Sequence, residues 1–554
     1  MGDTPEVRHV EFPVIHPGSD RAHTGPPNSH LPELEPVTTL ENCERGSYQH
    51  PSTFRAGIQY LPPELLVRIF HYLVLTSAQS GSRALIQATH VCRLFRAVAL
   101  DSPMLWTKVT KLYGTTIPEA QAFLDRSANL PLDITLEASS LNDWSAFLLS
   151  HVLHRLRSLE IKVDSAYHKP IIRLLASLVG HPAPLLRKLH LLDQGESEDV
   201  RIPPTRQLSN VFHVFDGGKY YSATPSLRSL RLAPVLLSWD SDMIKDLTHL
   251  ELRATNWRIY RPTQAQLLAI LRRCPALQTL ALELPIIFHD APRREPEPII
   301  SLPQLSRVIF RQLMPCSIAN LLSHLALPPT TRFTIDTVLE PEHDGSTLFP
   351  IFPENREHLP SLRDLPDVEL VVKLLESTVY FKLSSSDAEG NAHRVATISV
   401  YTYELENIGG GMPSTLVDSA QRFTYRGDFQ DDFGELGDWS RLLRAATRLR
   451  VLRLIRPGRD LENVVQALTR HVPDDAAPGG PARFCPELTD LELDLVSLSN
   501  GKRASIIWLL TDRRNVGRPL KRVVFGRVSG IFSEFLEVLR EYGAEIVGPL
   551  HSSW

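Results

Sequence analysis

The side chains of this sequence that could do chemistry are scattered rather than gathered. His9, His16, His23 and His30 recur every seven residues, but neither a helical apolar period nor a cysteine partner accompanies them, so the spacing reads as accidental. His151 and His154 stand three apart in a helical stretch where Leu153 and Leu156 mark an ordinary amphipathic face, and no third ligand is in view. Asp216-Gly217-Gly218-Lys219 has too few positions to cradle a phosphate and reads as a turn. Asp428, Asp431, Asp432, Glu435 and Asp438 supply carboxylates without the Asp-x-Asp-x-Asp-Gly order of a calcium loop, and read as a solvated acidic loop. The five cysteines, Cys43, Cys92, Cys274, Cys316 and Cys485, form no C-x-x-C pair, which argues against a disulfide framework and against a zinc site. There is no Gly-x-Ser-x-Gly elbow, no His-Glu-x-x-His and no phosphate-binding Gly-x-x-x-x-Gly-Lys. No catalytic residue, cofactor or metal ligand is therefore assigned, and the expectation is a protein without covalent chemistry of its own.

If the chain acts by binding, two kinds of element must position its surfaces. The first is the stretch Tyr60 to Val109. Leu61, Leu65, Leu66, Ile69, Phe70 and Leu73 recur at three-and-four spacing, and Pro62 and Pro63 open the helix where missing N–H groups do no harm. A second helical run carries Leu85, Ile86, Val91, Leu94, Phe95 and Val98, and a short turn ends in Ser102-Pro103-Met104-Leu105-Trp106. So small a helical unit buries a low fraction of its own apolar surface and needs a neighbour. Periodicity alone leaves open whether that neighbour is the rest of this chain, sealed by a helical cap, or another protein.

The residues LPPELLVRIF, then VCRLFRAVALDSPMLW, resemble the F-box of substrate receptors in Skp–cullin–F-box ubiquitin ligases. The matching positions are Leu61, Pro62, Glu64, Leu65, Ile69, Phe70, Leu73, Val91, Cys92, Arg93, Leu105 and Trp106. Phe95 stands where the family most often has Trp, and Thr76 to Ser82 reads as a polar insertion between the first two helices. The resemblance implies a Skp-type adaptor as partner, and through it a cullin ligase, with Leu61, Pro62, Leu65, Leu66, Ile69, Phe70, Leu73, Val91, Cys92 and Trp106 as the adaptor-binding residues. At about 1.5–3 kcal/mol per buried aliphatic side chain, such a set outweighs association costs of several kcal/mol.

The second element is a repeat. The pattern Leu-x-x-Leu-x-Leu, with Val or Phe for a later Leu in places, starts at Leu156, Leu186, Leu227, Leu247, Leu277, Leu305, Leu449, Leu488 and Leu520. Several instances follow an amphipathic helix, as Gln264 to Arg273 precedes Cys274-Pro275. One such unit cannot bury its apolar face alone, whereas stacked units share a core and align their strands in parallel. The expected fold class is α/β: a short three-helix F-box-like module at 58-112, then an irregular leucine-rich-repeat solenoid, a horseshoe of parallel strands, over 115-554. An ordinary α/β domain with leucine-rich strands is the competing architecture. Residues 1-57, rich in Pro, His, Ser and acidic groups, read as a disordered tail.

Between about 337 and 436 the repeat is interrupted. Ser377 to Leu383 and Val395 to Tyr401 keep the β-branched and aromatic content of strands, and Ser384 to His393, Asn407 to Ser414 and Asp428 to Asp438 read as loops. Pro473 to Pro481 reads as a further loop, and a helix near Phe532 to Tyr542 as the cap of the array.

A formal net charge of −4 with 22% charged residues gives no basic stripe, so nucleic acid is not expected as a partner. No run of eighteen or so apolar residues and no leader-like apolar core at the start argue against membrane spanning and secretion, and a cytoplasmic or nuclear location is expected. In a leucine-rich horseshoe the residues between the leucines line the inner surface. Candidate contacts to a target protein are therefore Arg228, Arg231, His249, Glu251, Arg253, Gln278, Glu283, Asp490 and Glu492. The expected function is a substrate-recognition subunit that holds the adaptor by its helices and a target by its solenoid. The alternative is a leucine-rich interaction scaffold with no part in degradation.

Overall fold

The computed structural model describes residues 58, 61–76, 81–110, 117–137, 149–163, 182–193, 224–232, 239, 244–253, 262–283, 298–339, 351–353, 355–363, 365–373, 378–386, 392–402, 417–427, 436–469 and 484–548. The seven-spaced histidines, Asp216 to Lys219, Asn407 to Ser414 and Pro473 to Pro481 lie outside them. Apart from Ile58, the described residues belong to one compact unit, Leu61–Trp554.

Helix α1 (Pro63–Thr76) starts at the proline that the sequence places there. The second helical run divides in two, α2 (Gly81–Thr89) and α3 (Arg93–Leu100). The break falls at Cys92, whose extended backbone lets Sγ accept from the Phe95 N–H at 3.5 Å and cap α3. The expected polar insertion shrinks accordingly, because Thr76 closes α1 while Gly81 and Ser82 open α2. A 3₁₀ turn, Pro103–Trp106, follows. Leu66, Phe70, Val74, Leu85, Phe95, Val98, Leu105 and Trp106 fill the interior, with the Phe70 and Phe95 rings edge to face at 5.2 Å. Phe95 thus supplies an aromatic plug at a position where the resembled family favours Trp.

Among the described residues the rest is built, with two small parallel pairs beside it, Ile300–Ser301 with Leu325–Ala326 and Val496–Ser497 with Val528–Ser529, on one sheet of seventeen strands. Its first nine are β1 (Lys108–Thr110), β2 (Leu132–Glu137), β3 (Leu156–Val163), β4 (Lys188–Asp193), β5 (Ser229–Leu232), β6 (His249–Arg253), β7 (Thr279–Glu283), β8 (Arg307–Arg311) and β9 (Arg332–Leu339). Each pairs in parallel with the next. Alternation puts one set of side chains inside: Leu159, Leu189, Leu230, Leu250, Leu280, Val308 and Phe333 stand in register, as do Ile161, Leu191, Leu232, Leu252, Leu282, Phe310 and Ile335. All nine Leu-x-x-Leu-x-Leu segments become strands of this sheet, and the leading leucine of each is buried in the turn before or at the strand start.

Beyond β9 the spatial order departs from chain order. Strands β10 (Asp367–Lys373), β11 (Thr378–Ser386) and β12 (Ala392–Thr402) form an antiparallel meander inserted in reverse, so that β12 pairs in parallel with β9 and β10 in parallel with β13 (Arg422–Arg426). Among the described strands of the sheet, β11 alone runs against the others. The interrupted segment therefore keeps the sheet continuous, and the loop expected over Ser384 to His393 is shorter than its sequence suggests, since strand residues occupy both of its ends. Parallel pairing resumes through β14 (Val451–Ile455), β15 (Asp490–Asp494), β16 (Arg522–Phe525) and β17 (Glu545–Val547).

Helices cover the apolar face: α4 (Ile117–Arg126) near β1 and β2, then α5 (Gln264–Arg272), α6 (Pro315–Ser323), α7 (Leu436–Ala445), α8 (Asp460–Thr469), α9 (Asn500–Asn515) and α10 (Ser533–Glu541). α5 opens on a capping box between Thr263 and Gln266. The acidic loop expected through Asp438 ends earlier, because α7 begins at Leu436. The helix expected near Phe532 to Tyr542 is α10, and β17 follows it as an edge strand that the repeat pattern does not announce. Residues just past three strands, Gln312, Arg456 and Leu495, adopt left-handed backbone, at φ 58, 51 and 55°. That conformation turns the chain away from the sheet, and their types differ from the Asn or Gly that adopts it most readily.

Candidate functional site

Two surfaces of the described structure carry the residues that the sequence singles out. The first is on the helical module. Residues at three-and-four spacing on α1 fall into two neighbouring stripes. Leu66, Phe70 and Val74 turn inward, while Leu65, Ile69, Tyr72 and Leu75 turn out, with Tyr72 70% exposed. Val91, at 68%, and Met104, at 49%, add further exposed apolar side chains to the module.

The ten sequence-assigned residues of this module divide accordingly. Leu65, Ile69, Val91, Pro62 and Cys92 are exposed, and Leu61 and Leu73 are half-buried against the core. Leu66, Phe70 and Trp106 are a correction: they are interior, and they hold the module together rather than present a surface. Tyr72, Leu75 and Met104 were not singled out by the motif. The signal that finds them is an α1 apolar on more than one face, which demands a partner on each.

Residues 58–111 match the family model described as F-box-like. The chain carries an F-box-like domain. The match spans the three helices, the 3₁₀ turn and β1. No curated protein matches the chain. The F-box-like domain runs without a break into the sheet: Trp106 donates its indole N–H to the Ala99 carbonyl at 2.7 Å, meets Phe123 of α4 edge to face at 4.9 Å, and lies under the Arg126 guanidinium.

The second surface is the polar face of the sheet. Arg231, Glu251, Arg253 and Glu283 point to this face, as the alternation predicts, but they are bound to one another. Arg231 contacts Glu251, Arg253 bridges Glu251 at 2.7 Å and Glu283 at 3.3 Å, and Arg311 joins Glu283 at 3.6 Å to Asp336 at 3.4 Å. The run crosses β5 to β9 without a gap. Arg228 and Gln278 sit one residue ahead of their strands, where their carbonyls accept N–H groups from the following turns, and the Arg228 guanidinium folds onto the Leu227 carbonyl at 2.8 Å. His249 is exposed beside Thr248. On the far part of the sheet Asp490 pairs with Arg522 at 3.2 Å, and Glu492 with Arg453 at 3.6 Å. Exposed pairs of this kind contribute about 0–1 kcal/mol each, and their chief effect is to leave little uncompensated charge.

His190, on the same face, accepts from or donates to Ser229 Oγ at 2.9 Å. Burial, with Arg231 and Lys188 close by, lowers its pKa to about 4. A depressed histidine pKa costs the folded state nothing above the unfolded value near 6.5 and destabilises it progressively as pH falls from about 6.5 to about 4, where the unfolded chain takes up the proton first. Allowing for solvent screening, His190→Gln should therefore lose about 1–2 kcal/mol less stability than the parent between pH 7 and pH 4.5. Urea midpoints at the two pH values measure it, and equal losses in both proteins would exclude the effect.

Among the described residues no group of three His, Cys, Asp or Glu converges on a metal-sized space. His151 and His154 lie in the helical turns ahead of β3, outside any such group. Burial raises the thiol of Cys274 and pushes that of Cys485 up to about 12, so neither is a thiolate near neutral pH. No helix among the described residues is long and apolar enough to cross a membrane.

Proposed function

We propose that the chain is the substrate-recognition subunit of a Skp–cullin–F-box ubiquitin ligase, its F-box-like domain docking a Skp-type adaptor and its sheet holding a target protein. The observation that carries this is the outward stripe Leu65, Ile69, Tyr72 and Leu75 within the matched residues, an apolar face that no described element of the chain covers. The repeat pattern and the in-register parallel strands support a degenerate leucine-rich solenoid, whose polar face would receive the target. The chain would do no covalent chemistry. It would raise the effective concentration of target beside a bound ubiquitin-transfer enzyme.

A second reading draws on the packing of Trp106 against Phe123: the helices seal the first strands of a leucine-rich scaffold that has no degradation role. The variant Leu65→Asp with Ile69→Asp separates the two. Both side chains are exposed, so the fold is expected to persist, while two charges in an apolar contact should weaken adaptor binding by about a hundredfold or more. Co-purification of the Skp adaptor reads the result, and undiminished recovery from the folded variant would leave the scaffold reading.

A further inference from the structure

The polar face of the sheet is not uniform. From β5 to β9 its charges are tied into the continuous run described above, and that half offers a partner few free charges. The face opens where the reversed meander meets β13 and β14, into a depression of about 270 Å³ lined by Asp367, Glu369, Lys382, Arg422, Arg426 and Arg453, with Thr424 and Ser384 as short side chains between the long ones. The reversed insertion creates this composition by seating β10 against β13, so that β11, β10, β13 and β14 lie side by side in that order. Four cations and two carboxylates line it; Arg453 is paired outside it with Glu492 at 3.6 Å and Asp494 at 3.9 Å, which leaves three cations for the two carboxylates. Glu369 serves two of them, Lys382 at 3.1 Å and Arg426 at 3.5 Å, so each is only half neutralised. Arg422 faces Asp367, whose carboxyl is raised by burial and by Glu369 and lowered by Arg422. Ile455 forms an apolar part of the wall.

We propose that this depression is the specificity site for the recruited target, and that it takes a carboxylate side chain of an acidic peptide segment, seated between Arg422, Arg426 and Lys382 with its methylenes against Ile455. The proposal rests on the receptor reading for the identity of the partner and on this pocket for its chemistry. A singly charged carboxylate suits a site with a modest excess of cations, whereas a dianionic phosphate would stand against Asp367 and Glu369. It also relocates recognition, away from Arg231, Glu251, Arg253 and Glu283 and onto the meander that lacks the leucine repeat.

The test uses the full chain bound to its adaptor, with fluorescein-labelled hexaglutamate as the probe at low ionic strength. Arg422→Ala with Arg426→Ala, both exposed positions, should weaken probe binding about tenfold or more, and Glu369→Gln should strengthen it. Arg231→Ala, in the sealed half, should leave it unchanged. Equal binding by the double variant, equal binding of a hexaglutamine probe, a loss with Arg231→Ala as large as with the double variant, or displacement of the probe by equimolar inorganic phosphate would each overturn the proposal. Adaptor recovery, measured on the same samples, reports on the receptor reading separately. Normal recovery alongside lost probe binding supports both, and a chain that binds the probe as expected but never holds an adaptor removes the ligase role and leaves the pocket.

Discussion

Trp106→Ala is expected to destabilise the protein by about 3–5 kcal/mol, the range for truncating a large buried aromatic. Trp106 is fully buried, its indole N–H is spent on the Ala99 carbonyl, and its ring lies between the F-box-like helices and Phe123 of α4. The alanine variant loses the packing, opens a cavity and leaves the Ala99 carbonyl with only its backbone donor, the Ser102 N–H at 3.3 Å. Trp106→Phe should cost less, about 1–3 kcal/mol, because the ring survives and only the hydrogen bond and part of the volume go. Chemical denaturation gives both values. A loss under about 1 kcal/mol for the alanine variant would mean that the two parts are not joined through this residue.

The other large effect belongs to Asp460, a carboxylate with no solvent exposure in the first turn of α8. It accepts the Tyr425 hydroxyl at 2.5 Å and the Trp439 indole N–H at 2.9 Å, and those two rings meet edge to face at 5.1 Å. The two donors satisfy the buried carboxyl group, which sits at the amino-terminal end of α8. Asp460→Ala leaves both donors buried without this acceptor and should cost about 3–5 kcal/mol. Asp460→Asn should cost clearly less. Its carbonyl can keep the indole, and the Tyr425 hydroxyl can turn to accept from the amide. Equal losses in the two variants would show that the charge, not the hydrogen-bond geometry, is what the site requires; unfolding midpoints with near-UV dichroism distinguish the cases.

The parallel strands were legible because each Leu-x-x-Leu-x-Leu segment writes two facts at once: a leucine that plugs the turn and an alternation that gives the strand an inside. Strands β9, β13 and β17 escape that template for a plain reason. Phe333 and Ile335, Phe423 and Tyr425, and Ile546 fill the same interior rows with other side chains. The reversed meander could not be read, since chain order says nothing about which strand edge a hairpin will join. At the helical module, composition identified the residues that matter but not their direction. Leu65 and Leu66 are the same amino acid one position apart, and only the tertiary packing decides that one fills the core while its neighbour is left outside. The ion-pair run was hidden for a similar reason: Arg231, Glu251, Arg253 and Glu283 are distant in sequence and become partners only in register.

The reversed order of β10, β11 and β12 also bears on how the chain reaches this state. From β1 to β9 every strand meets its predecessor, so that part can grow by adding one strand at a time to an edge already formed. At β9 growth must wait: the next edge to be filled belongs to β12, and the strand synthesised first, β10, has no completed neighbour until β11 and β12 have folded back on it. β13 in turn has no partner among the strands that precede it until the meander exposes β10. The middle of the sheet is thus a joint in assembly: the amino-terminal and carboxy-terminal strands belong to one continuous sheet only through the hairpin unit folded between them.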